Sequence, residues 1–518
     1  MKKILFTLLA GTMVSASVMA LTTNDVCGQF VGDLNIGGSL YPSKTVYLLP
    51  GAKDNTVTFV LPDFMYNAGK LGNIVLPNIP MDEAGMLTLD NSTLYLDSIS
   101  ERATITIVNG LEDGGFVYNS VVSATEAQIL LSIAAPSLPE PIFVLFGGQA
   151  VTGRNYNLTN GGFEGEWTNA EPQGWHSFNS ATGIMVDYIK NDYQFTQSDQ
   201  VRPGSDGNHS ALLSSTMALG VKANGNCTNG QVNAGSSKAD DAAGNYNFSD
   251  PANEGFNTPL NGRPDSIVFW AKYQPADRDA SNEVNRARLN AVITTDARYQ
   301  DPEIEDCSAI KIGTATVNYA ATNDLGWQRI AVPFDYSEDN AGKQPAYILA
   351  TFSTNMVPGG GSSYSEGSIN KVNVLDSVYL DDVKLIYNRR LDAFTMGGEA
   401  LDFTNHVATV AGNYCDDCAK FAALSQGHSA QPFIAFDAVH RCIFVYVVAD
   451  DYPQTGAYEL YRIDFADSDT AEVGIKEDLV PTTGSVPQRP TTNKILYRGS
   501  LLIRYGEVWY NVQGQRVK

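Results

Sequence analysis

Three familiar enzyme signatures are missing from these 518 residues. There is no Gly-x-Ser-x-Gly elbow, no His-Glu-x-x-His and no Gly-x-x-x-x-Gly-Lys-Ser/Thr. A hydrolase serine, a zincin centre and a phosphate-cradling loop are therefore unsupported. Basic residues are scarce: 34 Lys and Arg face 57 Asp and Glu, and the formal charge of −23 makes nucleic acid a poor partner. After the first twenty residues no run approaches the roughly 20 apolar residues of a membrane helix, so no membrane span is expected. Six cysteines are too few for a disulfide framework in a chain this long. Charged residues reach only 18%, and the abundance of Gly, Asn, Ser, Thr and Tyr favours strands and turns over helices.

What is present starts with an export leader at residues 1–20. Lys2 and Lys3 precede the apolar stretch Ile4–Val14, and Val18-Met19-Ala20 supplies the small residues of a cleavage site. The expectation is an exported protein of the periplasm, the outer cell surface or the medium. A chain of this length should hold roughly three or four domains.

Residues 21–150 alternate with period two. In Asn55–Phe64, Val57, Phe59 and Leu61 alternate with Thr56 and Thr58, the pattern of a half-buried strand. Gly72–Ile79, Ala103–Val108, Gln128–Ile133 and Pro141–Gly147 continue it, with turns such as Val108-Asn109-Gly110 between. The order VTFVLPDF, LGNIVLPNIP, IFVLFGG resembles the calycin-like β-barrel domain at the front of exported proteins in gut-type Gram-negative bacteria. Such barrels hold an apolar ligand or are filled by side chains.

Residues 155–388 read as strands separated by long Asn/Gly/Ser-rich loops, the pattern of a two-sheet sandwich. Sugar recognition needs aromatic rings for the apolar sugar face and amides or carboxylates for the hydroxyls. Loops here offer Tyr188, Tyr193 and Phe195 beside Asp187 and Asn191, then Tyr246, Phe248 and Phe256 in an Asn-rich stretch. Trp167 follows an acidic turn and is a candidate exposed ring, whereas Trp175, Trp270 and Trp327 read as core. The candidate ligand-binding set is Trp167, Tyr188, Tyr193, Tyr246 and Phe256. No catalytic residue stands out. With 57 acids, a pair at glycosidase spacing arises by chance and decides nothing.

Four segments in order, NGGFEGEW, RPDSIVFWAKYQP, GWQRIAVPF and YLDDVKLIY, resemble the carbohydrate-metabolism domain family. The resemblance implies a jelly-roll sandwich like carbohydrate-binding modules and a polysaccharide or glycan as partner. It also implies a structural calcium held by Glu164 with Asp381 or Asp382, hard oxygen ligands suited to that ion. Thr351–Val374 is longer than the family's pattern, which puts any ligand loop there in doubt.

Residues 389–480 read as a small immunoglobulin-like β-module, 481–492 as a linker, and 493–518 as a β-hairpin tail resembling sorting tails of exported proteins. Cys415-x-x-Cys418 with Cys442 suggests a disulfide before a metal site, and Cys227 and Cys307 are a second candidate pair. The fold class is all-β. The leading functional expectation is a non-catalytic, multidomain carbohydrate-binding protein. A structural or adhesion component that contacts other cell-surface proteins and a glycoside hydrolase are the alternatives.

Overall fold

The computed structural model describes residues 20–66, 69–96, 101–113, 115–136, 138–218, 221–276, 285–360, 375–414, 421–470, 473, 494–497, 500–505 and 508–511. The leader up to residue 19, Cys415, Cys418, most of the Thr351–Val374 loop and the 481–492 linker lie outside the described residues. The protein is all-β, and none of its described helices is long and apolar enough to cross a membrane. Two units are distinguished, 1–476 and 477–518.

The first region is a nearly closed barrel. Its antiparallel strands follow the spatial order Gly69–Pro80, Thr56–Tyr66, Ser39–Pro50, Gly28–Ile36, Ile142–Ala150, Glu126–Ala134, Glu101–Ile107 and Leu89–Leu96. A Met81–Leu87 bridge ties the connection between the two ends. As the alternation predicts, Val57, Phe59 and Leu61 point into a core with Phe30 and Phe146. The other face departs from the half-buried expectation. Thr58 and Val60 are also completely buried, because residues from far along the chain cover them.

That cover is the 391–465 module, a small sandwich. One sheet holds Glu399–Ala400, Leu391–Met396 and Phe421–Ser425; the other holds Val407–Val410, Tyr458–Phe465, Cys442–Val448 and Gln431–Asp437. Ile443, Val445 and Val447 pack with Phe394 and Ile463, in an apolar cluster continuous with the barrel core. All seven residues of Cys442–Val448 are buried. Across the seam Thr58 Oγ1 donates to Tyr446 Oη at 3.0 Å, and Tyr452 Oη donates to the Leu48 carbonyl at 2.8 Å. The Tyr47 ring meets Phe433 and Tyr452 at 5.6 and 6.1 Å. Asn78 Nδ2 donates to Asp437 Oδ2 at 2.7 Å, and His440 Nδ1 lies 2.7 Å from the same oxygen.

The central region has its own core. One five-stranded antiparallel sheet runs Phe195–Ser198, Ser210–Ser214, Ser377–Ile386, Ser266–Gln274, Gln328–Pro333. The facing sheet runs Asn226–Thr228, Tyr347–Ser353, Ala287–Thr294, Lys311–Tyr319, Asp335–Tyr336. Trp175 is buried in the core as expected, 6.0 Å from Phe352, and its Nε1 donates to the Thr159 carbonyl. Trp270 and Trp327 correct the reading. Both are half-buried outside the core, Trp270 under the Arg202 guanidinium and Trp327 against Tyr379. A strand position alone does not say which face a ring occupies. Phe195 is core rather than loop surface. Cys227 lies buried in a strand and, like Cys307, is an unpaired thiol, so those two do not form a disulfide; Cys27 and Cys442 are unpaired as well.

Where the module meets the sandwich, the Arg263 amide donates to Asp450 Oδ2 at 3.0 Å and the Tyr156 amide to Gln454 Oε1 at 3.1 Å. Arg389 grips Asp451 with its guanidinium. Burial pushes the Asp450 carboxyl up to about 6.

The second unit contains a three-stranded antiparallel sheet of Lys494–Tyr497, Ser500–Tyr505 and Val508–Asn511. This agrees with the β-hairpin expected for the tail; residues 498–499 and 506–507 between the strands are outside the described set.

Candidate functional site

The sequence Ala-Arg-Leu-Asn-Ala-Val-Ile-Thr at 287–294 alternates in a telling way. Ala287, Leu289, Ala291 and Ile293 face the sandwich core. Arg288, Asn290, Val292 and Thr294 face outward, yet the last three of these are buried. Register places Asn226 and Arg288 on either side of Ser353, and Thr228 and Asn290 on either side of Thr351. This outward face is covered by a further sheet of Gln231–Ala234, Asn245–Ser249 and Tyr299–Asp301. Val292, Leu349 and Tyr299 seal one end of the layer. Gly230 permits the close approach, since a Cβ there would sit 2.3 Å from the Phe248 carbonyl and 2.5 Å from Leu349 Cδ1.

At the other end the two layers separate around a cavity of about 390 Å³, within the roughly 300–1,000 Å³ range of small-molecule sites. Its lining is rich in amides from both layers, with Asn224 and Asn226 on one and Asn233, Asn245 and Asn247 on the other. It also includes Phe178, Met185, Ile189, Met356 and Tyr246, whose ring meets Phe248 and the Arg298 guanidinium. Asn226 Nδ2 donates to Asn247 Oδ1 at 2.6 Å, and Asn224 Nδ2 donates to the Val357 carbonyl at 2.9 Å. These bonds fix both amides and leave Oδ1 of each buried without a partner.

Two cations also reach the cavity. Arg288 makes a two-point bridge to Asp301, at 3.1 and 3.3 Å. Lys222 is ion-paired with the buried Asp376, which also accepts from Asn355 Nδ2 at 3.0 Å and the Ala276 amide at 2.7 Å. Burial lowers the Lys222 ammonium to about 8. Asp240 stands exposed among the lining residues.

Of the five aromatic candidates, Tyr246 alone lines this cavity. Trp167 is half-buried, its ring 5.2 Å from Phe195 and its Nε1 donating to the Phe163 carbonyl. Phe256 packs on the His176 ring at 4.5 Å. Tyr188 and Tyr193 are 60% and 82% exposed and outside the cavity wall, although Met185 and Ile189 beside Tyr188 belong to it. Sequence reasoning missed the amides, Lys222, Arg288 and Asp301. The density of Asn in ANGNCTNGQVN and in NYNFS was the available signal.

The acids singled out for calcium each have a protein partner. Glu164 Oε1 accepts from the His209 amide at 2.8 Å. The cation facing Asp382 is the Arg202 guanidinium, while the Arg202 amide donates to Asp381 Oδ2 at 3.0 Å. Burial, and then the neighbouring Asp382 charge, raise the Asp381 carboxyl. Among the described residues no group of three or more His, Cys, Asp and Glu is placed to hold a metal ion.

No protein-family model and no curated protein matches this chain. Among solved structures, a provisionally assigned glycoside hydrolase from Bacteroides thetaiotaomicron is similar over 73% of this chain and 100% of its own, at 13% identity and a TM-score of 0.30. A provisionally assigned outer membrane protein from Bacteroides fragilis is similar over 24% of this chain and 52% of its own, at 16% identity and a TM-score of 0.15. At such scores neither likeness carries an argument.

Proposed function

We propose that this chain is an exported, non-catalytic glycan-binding protein that holds a saccharide in the cavity between Asn226 and Tyr246. The mixed lining of that cavity carries the reading. A sugar ring has apolar faces and a rim of hydroxyls, and here five amides line the cavity together with apolar and aromatic side chains. Asn224 and Asn226 keep buried carbonyl oxygens that no protein donor reaches, and a hydroxyl is the donor such acceptors select. Both oxygens are closed to solvent, so engaging them takes a small side-chain adjustment on binding. Asp301, the cavity's buried acid, is occupied by Arg288, which favours binding over acid or nucleophile chemistry.

The test is a glycan array followed by calorimetry on the full chain. Binding is expected, weakened about tenfold by Tyr246→Ala through loss of the stacking surface. Silence across plant, host and microbial glycans overturns the reading, as does binding indifferent to both Tyr246→Ala and Asn226→Ala.

A further inference from the structure

Charge bookkeeping in the cavity says more about the ligand than its shape does. Among the described residues four charged side chains line it: Lys222, Asp240, Arg288 and Asp301. Arg288 and Asp301 neutralise each other through two hydrogen bonds. Lys222 is matched by Asp376, which lies behind the wall and is held in turn by Asn355 and the Ala276 amide. The remaining member, Asp240, is exposed and negative, in a chain whose net charge is −23.

We infer that the ligand of this cavity is an uncharged saccharide, recognised through its hydroxyl groups, because both cavity cations are already neutralised within the protein. The inference rests on the glycan-binding reading above. A uronate or sialate carboxylate would have to displace Asp301 or Asp376 from its cation, leaving a buried carboxylate unpaired, and would meet a repelling field on the way in. An amino sugar would find no buried partner, since an exposed acid such as Asp240 offers only a screened attraction. A neutral sugar breaks no ion pair, and its hydroxyls engage the amide oxygens of Asn224 and Asn226 once those side chains adjust to expose them.

Calorimetry on the full chain with neutral oligosaccharides, their uronate counterparts and glucosamine-containing analogues tests this. The neutral ligand should bind at least about tenfold tighter than either charged analogue, and its affinity should change less than about twofold between 50 and 500 mM NaCl. Asp301→Asn releases Arg288 and should raise uronate affinity about tenfold. If that variant fails to fold, the salt titration of the unmodified protein still decides. Preferential binding of a uronate, sialate or amino sugar overturns the charge inference and leaves the glycan reading standing. An absence of binding by all three classes overturns both.

Discussion

Two sheets in this molecule are covered on their outer faces, and the covers differ. The barrel sheet meets Cys442–Val448 and its neighbours through apolar side chains and matched polar pairs: Thr58 with Tyr446, Tyr452 with the Leu48 carbonyl, Asn78 with Asp437. None of these six described seam residues has a buried side-chain oxygen or nitrogen without a partner. The central sheet meets its cover through amides and ion pairs around a cavity, and two of its buried amide oxygens are unmatched. A seam that satisfies its own groups is structural. A seam that keeps space and acceptors in reserve is the one to which we assign the proposed binding.

The largest effect that separates the two is expected at the barrel seam. Tyr446→Ala removes a fully buried ring and should cost roughly 3–5 kcal/mol, read by urea unfolding with probes in barrel and module. Separate transitions for barrel and module in the unmodified protein would break the comparison. Next comes Asp450, at the seam between module and sandwich. Burial raises its carboxyl from 3.8 to about 6, so its contribution is complete below the lower value and lost as pH climbs through the higher one. The unmodified protein should therefore lose roughly 2–3 kcal/mol relative to Asp450→Asn between pH 4 and pH 7.5. An unchanging difference in melting temperature across that range would remove the assigned cause.

Asn226→Ala sharpens the contrast from the other side. It should weaken glycan binding about tenfold, near 1.4 kcal/mol, and cost only about 1 kcal/mol of stability, because it deletes an unmatched acceptor together with one hydrogen bond to Asn247. A large drop in stability with binding intact would make the amide wall structural. The smallest effect belongs to Thr58→Val, which keeps the shape and removes one hydrogen bond to Tyr446. It should cost about 1 kcal/mol in chemical denaturation.

Local alternation carried much of the fold. Val57, Phe59 and Leu61 announced the inner barrel face, and Trp175 its place in the sandwich core. What could not be read was the second burial of the same strands. Thr58 looks solvent-facing in its own segment and is buried by Tyr446, 388 positions away. The site was legible in kind and mostly not in position. Tyr246 and the Asn-rich stretch were visible as sugar-binding material, while Arg288 and Asp301 come together only through pairing of three separate segments. Exposed aromatics such as Tyr193 were chosen for their chemistry, which is silent about where layers part.

The long reach from Thr58 to Tyr446 also sets a timetable. A ribosome adding about 5–20 residues per second needs roughly 20–80 s to make the 388 positions between the two partners. Once Ile142–Ala150 completes the barrel, Leu49, Val60 and Val75 lie on it without their cover for the rest of that interval. A barrel folded ahead of its distant half leaves that surface bare, and the seam can close only when residue 446 is at hand.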